Sequence, residues 1–272
     1  MTMRRMAWVA LTVAVVYGTI TDRPVAKRPL LLGGYRVLAG DFHVHPIPFS
    51  ASTLAPWDLA LEATRQGLDV IAMTPQNTVL MGRAAGWTGG AIVIPGEEVH
   101  GPRFHLIVLG TRETISWRLP AGDAIDAAHR QGGVAIAAHP ALQAWSAYDA
   151  TARRKLDGAE VRQPLSFTPE RATEMETFYA MAPTAAIGSS DHHGTGPLGV
   201  CRTYLFVREV SQAGVLEAIR EHRTVVVDGA RAFGHPALVG FAGELPPAPS
   251  RPSRWGVVVG LAAMTWLVFG KE

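Results

Sequence analysis

Cysteine is nearly absent: the chain of 272 residues has one, Cys201. An internal disulfide is excluded, and so is a zinc site built on paired cysteines. Cys201 reads as a small hydrophobe in the strand-like run Cys201–Val207. Charge is also scarce, with 18% charged residues against 48% hydrophobic ones and a formal net charge of +2. That balance excludes long disordered stretches. With so small a net charge and no basic stripe among aromatics, no nucleic-acid partner is expected. The basic cluster Arg153-Arg154-Lys155 reads as a solvated face. There is no internal repeat and no Gly-rich phosphate loop.

Both ends are apolar. Arg4 and Arg5 precede an uncharged run from Met6 to Ile20, and no Ala-x-Ala cleavage site follows it. Residues 1–22 therefore read as a signal anchor, with a cleaved signal peptide as the alternative. At the other end, residues 243–254 form a Pro-rich linker. The uncharged run 255–270 follows, with Trp255 and Trp266 as interface anchors. Gly256 and Gly260 have the spacing that lets two helices approach closely. The expectation is terminal transmembrane helices, although a span needs roughly 20 residues. With Arg4 and Arg5 inside, the membrane-anchored chain would hold its central domain outside the cytoplasm, in the periplasm or at the cell surface.

The middle alternates strand and helix patterns. Strands are expected at Tyr35–His45, Leu68–Thr74, Ala91–Ile94, Phe104–Leu109, Val134–Ala138, Gly158–Val161, Ala185–Ser189, Arg202–Val207 and Thr224–Val227. Helices are expected at Trp57–Gln66, Asp123–Gln131, Thr168–Met181 and Val210–Glu221. The pattern predicts an α/β fold with a parallel sheet or a barrel.

Histidines and acids recur where these strands end, the place where barrels build their sites. They are Asp41-Phe-His43-Val-His45, Pro95-Gly-Glu97-Glu98 followed by His105, Ala138-His139-Pro140, and Ser190-Asp191-His192-His193, with Glu160 a weaker fifth. Residues two apart in a strand face the same way, so His43 and His45 can chelate one ion. Imidazole with carboxylate suits manganese, zinc or iron. Glu97 competes with Glu98 and His192 with His193. Asp41 reads as an orienting partner, and His100 lies close enough to Glu98 to support it. His129, His222 and His235 read as surface or structural.

These motifs, with Gly67-Leu-Asp-Val-Ile-Ala-Met-Thr74 between the first two, appear in the order found in the PHP family, the polymerase-and-histidinol-phosphatase metallohydrolases. The chain resembles that family from about Tyr35 to Gly229. The resemblance implies a distorted (β/α)7 TIM-like barrel, here residues 35–240. It implies two divalent ions, one held by His43, His45, Glu98 and Asp191, with Glu98 bridging to another bound also by His105 and His139. It departs from the family at Thr74-Pro75-Gln76-Asn77, where Asp and His are expected, and at Phe49-Ser50-Ala51-Ser52, which lacks the usual acid. Of the third ion's ligands only His193 remains, so that site is expected to be lost.

The leading expectation is a phosphoesterase using a bridging hydroxide on a small phosphate ester. Asp191 and His193 are its catalytic candidates, with His193 protonating the leaving oxygen. Arg103 and Arg202 would bind phosphate, unless they are solvated surface residues. The alternatives are hydrolysis of an amide, carbamate or carboxylic ester at the same site, or a membrane-tethered module with a relict site.

Overall fold

A computed structural model of the chain describes residues 3–21, 29–48, 50, 52–80, 90–142, 145–182, 184–194, 197–248 and 254–270. In chain order the first half contains α1 (Met3–Thr21), β1 (Leu30–Leu32), β2 (Tyr35–Asp41), α2 (Pro56–Arg65), β3 (Val70–Met73), β4 (Ile92–Gly101), β5 (Phe104–Leu109), α3 (Ala121–Arg130) and β6 (Val134–Ala137). The second half contains α4 (Ala150–Lys155), β7 (Gly158–Arg162), α5 (Pro169–Met181), β8 (Ala185–Gly188), β9 (Thr203–Val207), α6 (Gln212–Arg220), β10 (Thr224–Asp228), β11 (Arg231–Gly234) and α7 (Arg254–Phe269). Two compact units result: both termini form one, and Ala26–Ser250 the other.

In the larger unit the strands make one sheet, ordered β11-β10-β9-β2-β3-β4-β5-β6-β7-β8, with β1 beside β2. β2, β3 and β4 are parallel, as are β6, β7 and β8. The last strand curls back towards β9: Gly188 N–H donates to Thr203 Oγ1 at 2.9 Å, and that hydroxyl donates to Gly188 O at 3.0 Å. Gly188 has to be glycine there, because a Cβ would lie 2.8 Å from Arg202 O. The result is a nearly closed, barrel-like α/β sheet. Strand alternation sorts its two faces. Val70 and Ala72 join one buried cluster with Ile136, Ile187 and Leu205, while Ile71 and Met73 join another with Leu59 and Ala63 of α2. Val215, Ala218 and Ile219 of α6 pack onto the first cluster.

The simple strand–helix alternation breaks in two places. β9, β10 and β11 run as an antiparallel meander. β4 continues seven residues past the expected end at Ile94 and forms an antiparallel hairpin with β5. Pro95 does not end the strand. It sits where β4 leaves β3, at the pair Met73↔Pro95, and the pairing with β5 begins one residue on at Gly96↔Leu109. Gly96 permits the handover, since a Cβ would lie 2.5 Å from Val108 O. The turn closes through Arg103 at φ 65°. Conversely, β2 stops at Asp41, before His43 and His45. From there Val44 gives its N–H to Thr74 Oγ1 (2.9 Å) and its carbonyl accepts that hydroxyl (3.2 Å).

The terminal unit corrects the expectation of transmembrane helices. Both runs are helical, 19 residues in α1 and 16 in α7, but among the described residues no helix is long and apolar enough to cross a membrane. Sixteen residues rise only about 24 Å against a hydrocarbon core of about 30 Å. The two helices pack on each other, and a Cβ on Gly260 would meet Ala14 Cβ at an ordinary 3.6 Å. Part of the Pro-rich linker, residues 249–253, lies outside the described residues.

Gly96→Ala should destabilise the protein by about 1–3 kcal/mol, since the new methyl has backbone against it. Chemical denaturation checks this, and an unchanged midpoint would contradict the β4–β5 register.

Candidate metal centre

The ends of β2, β3, β6 and β8 and the β4–β5 hairpin converge on one cluster. His43 Nε2, His45 Nε2, Glu98 Oε2 and Asp191 Oδ1 form its first group. The separations are 3.0 Å for the two histidines, 3.5 Å from each to Glu98, and 3.4 and 3.2 Å from His43 and His45 to Asp191. The second group is Glu98 Oε1, His105 Nδ1 and His139 Nε2, separated by 3.1, 3.0 and 3.4 Å. An ion at 2.0–2.2 Å from each donor sets neighbouring donors roughly 2.9–3.5 Å apart. Both groups fit that requirement, and Glu98 offers one oxygen to each.

The donors are oriented by a second layer. His43 Nδ1 donates to Glu160 Oε1 at 3.1 Å, leaving Nε2 free to ligate. Glu160 also accepts from His139 N–H at 2.5 Å through its other oxygen. His45 Nδ1 meets Ser50 Oγ at 3.1 Å, and Ser50 accepts from Gln76 N–H at 3.3 Å. Buried Asp41 accepts from the N–H groups of His43, Ser190 and Gly199 at 3.4, 3.0 and 2.8 Å, tying the first motif to the last. Tyr148 OH donates to His105 O at 2.6 Å. His139 and Asp191 hold φ of 24° and 48°. Such left-handed backbone at non-glycine residues costs on the order of 1–3 kcal/mol each and clusters at functional sites.

The alternatives separate cleanly. Glu97 lies on the opposite face of β4, where Oε1 accepts from Ile115 N–H at 2.6 Å. His192 serves through its backbone, bridging Val44. His193 reaches the cluster: its ring stacks on His45 at 4.1 Å and its Nδ1 donates to Asp191 O at 2.9 Å. Pro75, Gln76 and Asn77, in place of third-ion ligands, pair with β4 through their backbones. Arg103 stands at the hairpin turn, its Nε donating to Ser146 Oγ at 2.9 Å. Arg202 is buried and engaged by Gly199 O and Gln66 O, at 3.0 Å each, rather than by the cluster. Glu160 was visible as an acid at a strand end. Ser50 and Tyr148 escaped sequence reasoning, which had no signal for a hydroxyl supporting a histidine from a distant segment.

Electrostatics bind the cluster together. Burial opposes charge on His43, but Asp191, Glu98 and Glu160 outweigh it and hold the imidazole well above its usual range. Burial likewise opposes the Glu98 carboxylate. His43 and the hydrogen bonds from His100, His105 and His139 prevail and hold it well below the usual range. Asp191 is lowered in the same way, burial being overcome by the charge of His43 and the hydrogen bond from His45. For His45 burial wins, taking it down to about 4.

No protein-family model and no curated protein matches this sequence. Solved structures do match. A two-domain protein from Bacteroides vulgatus containing a predicted PHP-like metal-dependent phosphoesterase is 21% identical, with a TM-score of 0.65, over 82% of this chain and 74% of its own. PsfC from Pseudomonas syringae is 17% identical, with a TM-score of 0.53, over 76% of this chain and 97% of its own. The lesion-specific endonuclease PfuEndoQ from Pyrococcus furiosus is 18% identical, with a TM-score of 0.51, over 73% of this chain and 57% of its own. At these identities the likeness is one of fold. The resemblance to PHP proteins carried by the motifs therefore extends to the architecture that brings them together.

Glu160→Gln should weaken metal binding about 10–100-fold, the usual effect of losing a histidine's orienting partner. Titration of the metal-free protein reads this directly, and unchanged affinity would deny Glu160 that role. Burial pushes Glu97 from its ordinary 4.5 up to about 7. A raised carboxyl contributes stability below pH 4.5 and loses it as pH rises through about 7. Glu97→Gln, always neutral, should therefore gain thermal stability relative to the parent as pH goes from about 5 to 8. A difference that stays constant over that range would show that Glu97 ionises without penalty.

Proposed function

We propose that this protein is a metal-dependent hydrolase with a two-ion centre for manganese, zinc or iron, and that its substrate is a small phosphate ester. One observation carries the reading: buried Glu98 turns one oxygen to His43 and His45 and the other to His105 and His139. His43, His45, Asp191 and Glu98 would hold one ion, and Glu98, His105 and His139 the other. The ions would supply Lewis acidity and a water made acidic near neutral pH.

The chain's own groups do the rest. Glu160 and Ser50 keep the Nε2 lone pairs of His43 and His45 directed inward. Asp191, fixed by its backbone conformation, carries its carboxylate beside both histidines. His193 has its Nδ1 proton on Asp191 O, so its Nε2 is the atom that delivers a proton to the leaving oxygen when the ring is charged. Arg103, at the hairpin turn next to His105, meets the substrate's anionic group.

A second reading draws on Arg202, whose guanidinium is taken up by backbone carbonyls. With one of two expected phosphate cations engaged elsewhere, a carboxylic ester, amide or carbamate is the competing substrate class. The terminal helices add a proposal on location. Trp8, Val13 and Tyr17 of α1, and Leu261, Trp266 and Phe269 of α7, are exposed. An apolar surface of this kind would lie against lipid without crossing it.

The full chain, purified without chelator, should hydrolyse p-nitrophenyl phosphate or its diester faster than p-nitrophenyl acetate, and lose turnover on chelation. Asp191→Ala should lower the rate at least about a hundredfold. His193→Ala should lower kcat more for poor leaving groups than for p-nitrophenol, the signature of an absent general acid. Faster acetate turnover moves the assignment to the second reading. Activities indifferent to Asp191→Ala would leave a relict site. An abasic-site duplex belongs in the same panel, because endonuclease Q is known in complex with one.

A further inference from the structure

We infer that His100 is an additional metal-binding side chain, a further protein donor beside Glu98 and His105 in the two-ion centre. The inference rests on the two-ion reading and adds a residue to it.

The placement follows from the strand that ran longer than expected. In β4, Glu98 and His100 are two residues apart and share a face. The register of the hairpin sets His100 directly opposite His105, and cross-strand partners bring their side chains together. The two rings stack at 4.0 Å with an 11° tilt. His100 Nε2 lies 2.5 Å from Glu98 Oε2. One donor atom each from Glu98, His100 and His105 falls within 4.8 Å of the others. The backbone is pinned as well, since His100 N–H donates to Asn77 Oδ1 at 2.9 Å. Asn77 itself holds φ of 54°. The segment without the expected third-ion ligands thus positions the strand that offers a different one.

Chemistry favours a ligand over a packing residue. Five imidazoles gather round one carboxylate, and the donor atoms of Glu98, His100 and His105 lie close enough together for one cation to join them. The His100 side chain is 29% exposed, so it sits at the mouth of the site rather than in an apolar pocket. A further imidazole also tilts the donor set towards zinc or iron over manganese.

The test is cobalt and zinc titration of the full-length chain and of two variants. His100→Phe keeps a ring to stack on His105, and His100→Ala removes it. The parent should bind two ions. Both variants should keep one at parental affinity and bind the other at least tenfold more weakly. The visible absorption of the second cobalt ion should change, and the preference for zinc over manganese should narrow. Matching thermal midpoints of the metal-free proteins would tie these effects to the lost donor. Two ions bound at parental affinity with an unchanged cobalt spectrum in both variants would overturn the His100 assignment alone. A parent binding fewer than two ions would overturn the two-ion reading and this one together.

Discussion

The structure depends on one buried carboxylate. Glu98 is 2% exposed, and its oxygens lie within 3.5 Å of five imidazoles, those of His43, His45, His100, His105 and His139. A carboxylate taken out of water is costly unless paired and hydrogen-bonded. Five partners from four separate stretches of chain satisfy it only if β2, the β4–β5 hairpin and the end of β6 meet at one edge of the sheet. The departures from a regular barrel answer that demand. A parallel β4 followed by a helix would have carried His105 away from Glu98, whereas a hairpin returns it within seven residues.

Much of this was legible in the residues. His-x-His, Glu98, His139 and Asp191 stand out because polar groups at the ends of apolar strands need a reason, and the structure collects them. Element types followed from apolar runs and Gly or Pro punctuation. What could not be read was pairing. Nothing local in Pro95-Gly96 says that the strand changes partner there, because the reason is the crowding of Gly96 against Val108 O. The short strands β1 and β11 and the helix α4 were missed because their apolar content is too small to set a period. The choice between Glu97 and Glu98 is a matter of which face a strand turns inward, and it is settled only once its register with β5 is known.

Supporting polar groups were the least visible part. Ser50, Thr74 and Tyr148 reach the site from distant segments and carry no motif. Each bonds a group of the ligand-bearing backbone or ring: Ser50 meets His45 Nδ1, Thr74 bonds both backbone groups of Val44, and Tyr148 adds a second donor to the carbonyl of His105 beside Ala138 N–H. Such pairings are tertiary events, so a sequence discloses only that hydroxyls are available.

The hairpin also divides the centre by the order in which the chain can assemble it. Glu98 and His105 come together across one tight turn, and His139 joins from 41 residues beyond Glu98. The first group instead joins the two extremes of the domain, through contacts such as Asp41 to Ser190 across 149 residues. Closing a longer loop sacrifices more chain freedom, and distant pairings form later. Half of the site can therefore exist on a partly folded chain, while the other half is a report that the barrel has closed.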